Sequence, residues 1–473
     1  MTRLIPTLLT TASLALLAGC ASLSPDGNSA EIAILSAGPT AGARVQLSRD
    51  DDEATRTAVQ ALLAKPLDAD AAVRVALLNN PGLHASLAAL GISDAERVEA
   101  GRPPNPHLAL GRMVEGGKVE IERGLSFDVL GIFTLPWRAR AADRQHELAK
   151  LEAAQDVVRL AASTRKAWVE AVAAQQTAAY MADAKEAAEA SGELARRMAR
   201  VGNWSRLQQA REQLFLADAT AQLARAQQSA VRSREKLTRL MGLWGTQVQY
   251  RLPARLPDLP AAPADLPDVE ARALRGRLDV RAAVASTRNL ADSMGLQQVS
   301  GYLDGLTLGY VRNTTFDNAA GTKEIKRGWE VEIPLPLFDW GGARHARAQA
   351  VYMQSAARVR EVAVNARSEA REAYHAARTA WDIARHARDE LVPLRKFISE
   401  ETLLRYNGML LGVFDLLADT RAQILTVNSA IEAQRDYWLA DTDLQMVLSG
   451  TSPGGIAALT SSPGLPGGQA KGH

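Results

Sequence analysis

The sequence predicts an α+β protein in which long, closely packed helices carry amphipathic strands, one strand pair in each of two repeats of the same plan. Three observations predict it. Hydrophobic residues make up 47% of the chain but aromatics only 5%; such an alanine- and leucine-dominated composition suits helix-on-helix packing better than a core of large rings. Two short segments alternate apolar and polar residues with the period of a strand. Segments of the first half also match segments of the second in the same order, as in a duplicated unit.

Taken in order, a short basic start with Arg3 precedes an apolar run from Leu4 to Ala18, the layout of a signal peptide over residues 1–19. It ends in Leu17-Ala18-Gly19-Cys20, which resembles a bacterial lipobox. Cys20 is the single cysteine, so it has no disulfide partner within the chain and is the expected lipidation site. Ala21, rather than an acidic residue, follows it, which by analogy favours outer-membrane sorting. Residues 20–67 read as a lipid-anchored linker without clear periodicity. Lys plus Arg number 55 against 53 Asp plus Glu, a net charge of +2, which argues against nucleic acid as a partner. After the leader no run has the roughly 20 apolar residues of a membrane-spanning helix, so any crossing of a bilayer must be by β-barrel.

The duplication defines the next boundaries. Leu108-Ala109-Leu110-Gly111 recurs as Leu306-Thr307-Leu308-Gly309. Gly124 to Val129 recurs in pattern as Gly328 to Ile333, and Gly202-Asn203-Trp204 with Arg211 aligns with Gly412-Val413-Phe414 and Arg421. Two repeats follow, 68–245 and 269–450, each helix, strand, strand, very long helix, turn, long helix. Between them, residues 246–268 hold Pro253, Pro257, Pro260, Pro263 and Pro267, a density that forbids helix and reads as an extended connector. The Gly-, Pro- and Ser-rich tail, 451–473, is expected to be disordered.

In the strands, Val119, Ile121, Leu125, Phe127 and Val129 share one face, and Lys118, Glu120, Glu122, Ser126 and Asp128 the other. In the second repeat Trp329, Val331, Ile333, Leu335 and Leu337 alternate with Glu330 and Glu332, then Pro334 and Pro336. This is the signature of a transmembrane strand with an apolar face to lipid and a polar face to a lumen; an ordinary sheet packed on a core is the alternative. The lumen-facing candidates are Asp128, Glu330 and Glu332. Arg123 and Arg327 interrupt the apolar face at matching positions, as residues at an interface or snorkelling towards one would. Phe133, Trp137, Phe338 and Trp340 cluster where strand becomes helix, like an interfacial girdle. The helices are predicted from Arg138 to Arg200, with no proline, and from Ala343 to Tyr406, broken only at Pro393.

Four strands cannot close a barrel of the usual minimum of about eight, and open edges are not tolerated in lipid, so closure requires an oligomer. Here the resemblance becomes specific. The twofold plan, the lipobox, Leu335-Pro336-Leu337-Phe338-Asp339-Trp340-Gly341-Gly342, and Arg405-Tyr406-Asn407-Gly408 with Asp415-Leu416-Leu417 resemble the TolC-type outer-membrane efflux family over nearly all of Leu67 to Gly450. The resemblance implies a homotrimer: a twelve-stranded transmembrane β-barrel, four strands per chain, continued by a long α-helical barrel in the periplasm. It also implies a lipid-anchored outer-membrane location, and a periplasmic adaptor and an inner-membrane pump as partners. The helix hairpins would form a periplasmic tip that meets the adaptor and opens. Tip candidates for adaptor contact are Gly202, Asn203, Trp204, Gly408, Met409, Leu410, Leu411 and Gly412. Candidates for constriction or gating are Asp415, Asp419, Arg200, Arg405 and Tyr406. Asp415 and Asp419 lie one turn apart and would recur as acidic rings in a trimer; ordinary helix-start chemistry is the competing account.

No catalytic constellation appears. The histidines, His84, His107, His146, His345, His375, His386 and His473, are scattered, and no metal-binding motif or phosphate-cradling glycine loop is visible. The sequence therefore points to a non-enzymatic duct with no metal site and no cofactor. A type I protein-secretion duct and a periplasmic coiled-coil lipoprotein without a pore remain the alternatives.

Overall fold

A computed structural model describes residues 22–38, 40, 53–300, 306–318, 320–333 and 341–454, without side chains for 293–300. The leader, Cys20, the segment Pro334–Trp340 and nearly all of the tail lie outside the described residues. The chain forms two compact units. One comprises residues 1–28, 87–153 and 280–362, the other 29–86, 154–279 and 363–473.

Before the first strand come helices α1 (Ser29–Leu35), α2 (Glu53–Leu63), α3 (Ala69–Asn79) and α4 (Pro81–Ala100). Strands β1 (His107–Glu115) and β2 (Lys118–Asp128) lead into α5 (Val129–Arg200), and α6 (Arg206–Leu240) returns. The second half repeats the order with α7 (Val269–Gly276), α8 (Leu278–Ser300), β3 (Thr307–Asp317), β4 (Thr322–Glu332), α9 (Gly342–His386), α10 (Val392–Asn407) and α11 (Val413–Ser449).

The first unit is built on the sheet. Its order is β1-β2-β3-β4, antiparallel throughout, so hairpins join the outer pairs and β1 and β4 remain as edges. The register places Leu108, Leu125, Tyr310 and Trp329 in one row across four strands, with Phe127, Leu308 and Val331 in the next. Tyr310 and Trp329 meet edge to face at 5.3 Å. This apolar face is uncovered within the chain: Leu110 is 72% and Trp329 74% exposed. A face packed on its own core would be buried, and these two side chains are not. On the other face Asn313 donates to Glu120 at 3.1 Å, and Glu330 and Glu332 are exposed.

Two junctions differ from the expected helix limits. α5 starts at Val129, directly off β2, because Asp128 accepts from the Gly131 amide at 2.7 Å and caps the new helix. Asp128 thus carries a helix-start role in addition to its place on the polar face. The other long helix does not run unbroken to Pro393. It changes to a π turn at Ala387–Leu391, where the Val392 amide reaches back to the Ala387 carbonyl. Proline cannot supply the amide that an α-helix needs at position 393, and the wider turn absorbs the mismatch. Among the described residues no helix is long and apolar enough to cross a membrane.

Among the described residues the second unit packs around two hydrophobic clusters. Around one, Trp168 is buried and donates its indole N–H to the Leu67 carbonyl at 2.7 Å. Around the other, Trp381 donates to Pro260 at 3.1 Å, while Trp438 donates to Pro257 at 3.1 Å. The proline-rich stretch is therefore held by its carbonyls, which proline leaves free to accept. Alanine supplies much of the packing: Ala366, Ala370, Ala373, Ala377, Ala380 and Ala384 line one face of α9 and are buried. Small side chains at that spacing let helix backbones approach closely.

Candidate functional site

Two helix hairpins, α5–α6 and α10–α11, close by the same device. At the first, the Gly202 amide donates to the Ala199 carbonyl at 3.2 Å and Asn203 to Met198 at 3.0 Å. At the second, Met409 donates to Tyr406 at 3.0 Å and Leu410 to Arg405 at 2.8 Å. Each is the paired-bond helix ending whose pivotal residue takes a left-handed conformation. Gly202 has φ +80° and Met409 φ +60°. Each following helix then begins alike. Ser205 caps α6, with its amide donating to the Gln208 side chain at 2.7 Å, and Gly412 precedes α11, with its amide donating to Asp415 at 3.2 Å.

This pattern corrects the alignment read from the sequence. Gly202 corresponds to Met409 rather than to Gly412, and Gln208 corresponds to Asp415. By the same step Glu212 corresponds to Asp419, each seven residues after its cap. Both carboxylates are buried, at 3% and 8% exposure, and both are met by arginine. Glu212 accepts from Ser191 of α5 and from Arg421 of α11, both at 2.6 Å. Arg421 also lies over the Phe215 ring at 4.4 Å. Asp419 accepts from Arg395 of α10 at 2.5 Å. A buried carboxylate is tolerated only when so paired. The two pairs link α6, α10 and α11, and the Ser191 hydroxyl on Glu212 adds α5.

Among the residues expected to act, Asp415 is exposed and Asp419 is turned inward onto Arg395. One helical turn apart, the two do not share a surface in this chain. Arg200 and Arg405 are exposed and lie 3.9 Å from Glu193 and 3.6 Å from Glu401 on their own helices; Tyr406 is half-buried. Trp204 is 8% exposed and stacks on Phe414, ring centres 4.5 Å apart, so it joins the hairpins. Asn203, Gly408 and Gly412 are exposed and Leu411 is half-buried. Met409 and Leu410 project outward, 94% and 76% exposed. Sequence reasoning missed Glu212, Arg395, Phe414 and Arg421 as parts of this site. The one available signal was the seven-residue spacing from each cap.

A second polar cluster lies in the first unit. Asp94 of α4 accepts from the Ser24 amide at 2.7 Å and from Arg97. His146 of α5 is 4% exposed and sits between Asn28, at 3.2 Å, and Ser93, at 3.4 Å. Burial pushes the His146 imidazole below its ordinary value, although Asp94, 3.8 Å away, pulls the other way. Burial also opposes the charge on Asp94, but the Ser24 amide and Arg97 outweigh it and hold that carboxyl below the usual range. These residues clasp the N-terminal strap, residues 22–28, onto α4 and α5.

No protein-family model matches the sequence, and no curated protein does either. Solved structures do. The outer-membrane protein VceC of Vibrio cholerae superposes with a TM-score of 0.65 at 18% identity, covering 81% of this chain and 96% of that one. The outer-membrane channel OprN gives 0.65 at 18% identity, covering 87% and 95%. The open-state MtrE channel of Neisseria gonorrhoeae gives 0.64 at 18% identity, covering 80% and 88%. The fold is that of an outer-membrane channel. It is the TolC-type channel fold, as the sequence motifs suggested.

Proposed function

We propose that the chain is the outer-membrane exit duct of a tripartite efflux system. Three copies close a β-barrel in the outer membrane, and their helices continue it into the periplasm. Substrates pass from periplasm to exterior, with energy supplied by an inner-membrane pump through an adaptor. The observation that carries this reading is the four-stranded sheet, with its uncovered apolar face and two open edges. Such a sheet is stable in lipid only when further copies pair its edges and bilayer covers its face. The lipid anchor at Cys20 belongs to the same reading.

Within it, the hairpins form the periplasmic tip. Asp415, exposed beside the cap of α11, recurs around the threefold axis as an acidic ring that favours cations. The buried pairs Glu212–Arg421 and Asp419–Arg395 hold the hairpins together, and Met409 and Leu410 offer an apolar contact to the adaptor. No step of this function calls for a catalytic group or a cofactor.

Planar-bilayer recording of the purified protein tests the duct, together with accumulation in a deletion strain of metal ions, a hydrophobic dye and two antibiotics. Discrete conductance steps, and accumulation reversed by the complementing gene, are expected. A protein that never conducts is instead a coiled-coil lipoprotein; one that conducts without altering accumulation serves protein secretion.

A further inference from the structure

The sheet sorts its arginines from its carboxylates by face, while Lys118 and Lys326 lie among the carboxylates. By register, Leu110, Arg123, Arg312 and Arg327 form one row across the four strands, and Arg112 stands in the row beside it. All four arginines of the sheet lie on the apolar face, with Lys323, and that face has no Asp or Glu. The carboxylates Glu115, Glu120, Glu122, Asp128, Asp317, Glu324, Glu330 and Glu332 all lie on the opposite face.

Three arginines directly opposed on neighbouring strands repel one another. On adjacent strands their backbones stand only about 5 Å apart. No carboxylate on their own face relieves this, and the Nε of Arg312 is buried without a hydrogen-bond partner. Uncompensated arginine in hydrocarbon is costly, and least so at the headgroup level. An anion with several acceptor oxygens answers both problems, because guanidinium forks match phosphate two bonds at a time. On one side of the arginines the rows are apolar, Leu108, Leu125, Tyr310 and Trp329, then Phe127, Leu308 and Val331; on the other, Arg112 and Thr314 share a row with Ile121 and Ile325. Acyl chains lie naturally along the apolar rows. Phosphate and apolar tail together describe an anionic lipid.

We propose that Arg123, Arg312 and Arg327, with Arg112 beside them, form a site for the phosphate headgroup of an anionic membrane lipid and fix the depth of the barrel in the bilayer. This rests on the reading of the chain as an outer-membrane duct.

The test titrates the purified full-length protein with fluorescent phosphatidic acid, using phosphatidylcholine of the same chains and inorganic phosphate as competitors. Each basic side chain near an anionic surface contributes a factor of about five. The triple variant Arg123→Gln, Arg312→Gln, Arg327→Gln should therefore bind roughly a hundredfold more weakly. Neither phosphatidylcholine nor inorganic phosphate should displace the probe from the native chain. The triple Arg→Lys variant keeps the charge but not the fork, and decides the matter if the glutamine variant fails to fold. It should bind several-fold more weakly, and unchanged binding in either variant overturns the proposal. Displacement by inorganic phosphate overturns it too, since the site would then read a free anion. Conductance recorded on the same samples separates the two readings. Conducting protein indifferent to phosphatidic acid overturns the lipid site alone, whereas protein that never conducts overturns the duct and this site with it.

Discussion

At the scale of single residues, the buried ionisable groups make predictions of known sign. His146 has its folded value lowered from 6.5, chiefly by burial, so between that lowered value and 6.5 the unfolded chain binds more protons than the folded one. Its contribution is complete above pH 6.5 and is lost as pH falls towards the folded value. Asp94, lowered from 3.8, loses its contribution only on further acidification, so loosening just below pH 6.5 belongs to His146. The amide protection factors of residues 22–28, exchange rates corrected for the intrinsic effect of pH, should therefore fall on mild acidification, and His146→Gln should flatten the dependence. A strap equally protected at both pH values would exclude the histidine. The hairpin carboxylates divide differently. Glu212→Gln leaves Arg421 facing a neutral partner and should cost about 2–5 kcal/mol, towards the lower end because water reaches part of that guanidinium. A fall in the thermal midpoint measures it. Asp415→Ala removes only an exposed capping carboxylate, at about 1 kcal/mol, yet should change cation selectivity in bilayers. An unaltered channel would remove Asp415 from the constriction.

At the scale of elements, the two hairpins are alike in hydrogen bonding and unlike in the residue each places at the left-handed pivot. Gly202 takes that conformation freely, whereas Met409 takes it at a cost of about 1–2 kcal/mol. A residue held in strain and almost wholly exposed gains nothing from packing in its own chain, which is why we assign it to partner contact. Met409→Gly should therefore leave the thermal midpoint unchanged or higher while weakening complementation of efflux in a deletion strain. Lower stability with normal efflux would reverse the assignment. The strands were legible in the sequence because a sheet wetted on one face and apolar on the other must alternate, and Val119 to Phe127 does so. The long helices were legible because proline is absent from 138 to 200. The π turn was not: it changes helical phase by hydrogen bonding, and no residue type announces it ahead of Pro393. The hairpin alignment slipped because glycine types were matched while the pivot of the second hairpin is a methionine. The arginine partners were hidden for another reason. Asp419 meets Arg395 across 24 residues and Glu212 meets Arg421 across 209, distances that only the folded hairpins bring to zero.

At the scale of the whole molecule, the open sheet sets the stoichiometry question. An even number of strands, antiparallel throughout, makes β1 and β4 run in opposite directions. The β4 edge of one copy can therefore pair with the β1 edge of the next in the same antiparallel sense, and the ring closes without changing the pairing rule. Two copies would supply eight strands and three would supply twelve. Barrel width grows with strand number, and a barrel of about eight strands is filled by its own side chains. An open duct needs the larger ring. Cysteine pairs placed across the edges decide between these. Ala109→Cys on β1, combined in turn with Gly328→Cys, Glu330→Cys and Glu332→Cys on β4, samples three registers on the polar face. Oxidation of membranes should give a ladder ending at three chains for one of the pairs, because a closed ring of three links no fourth. A ladder that stops at two chains would indicate a dimeric barrel, and absence of any linked species across all three registers would show that these edges do not meet.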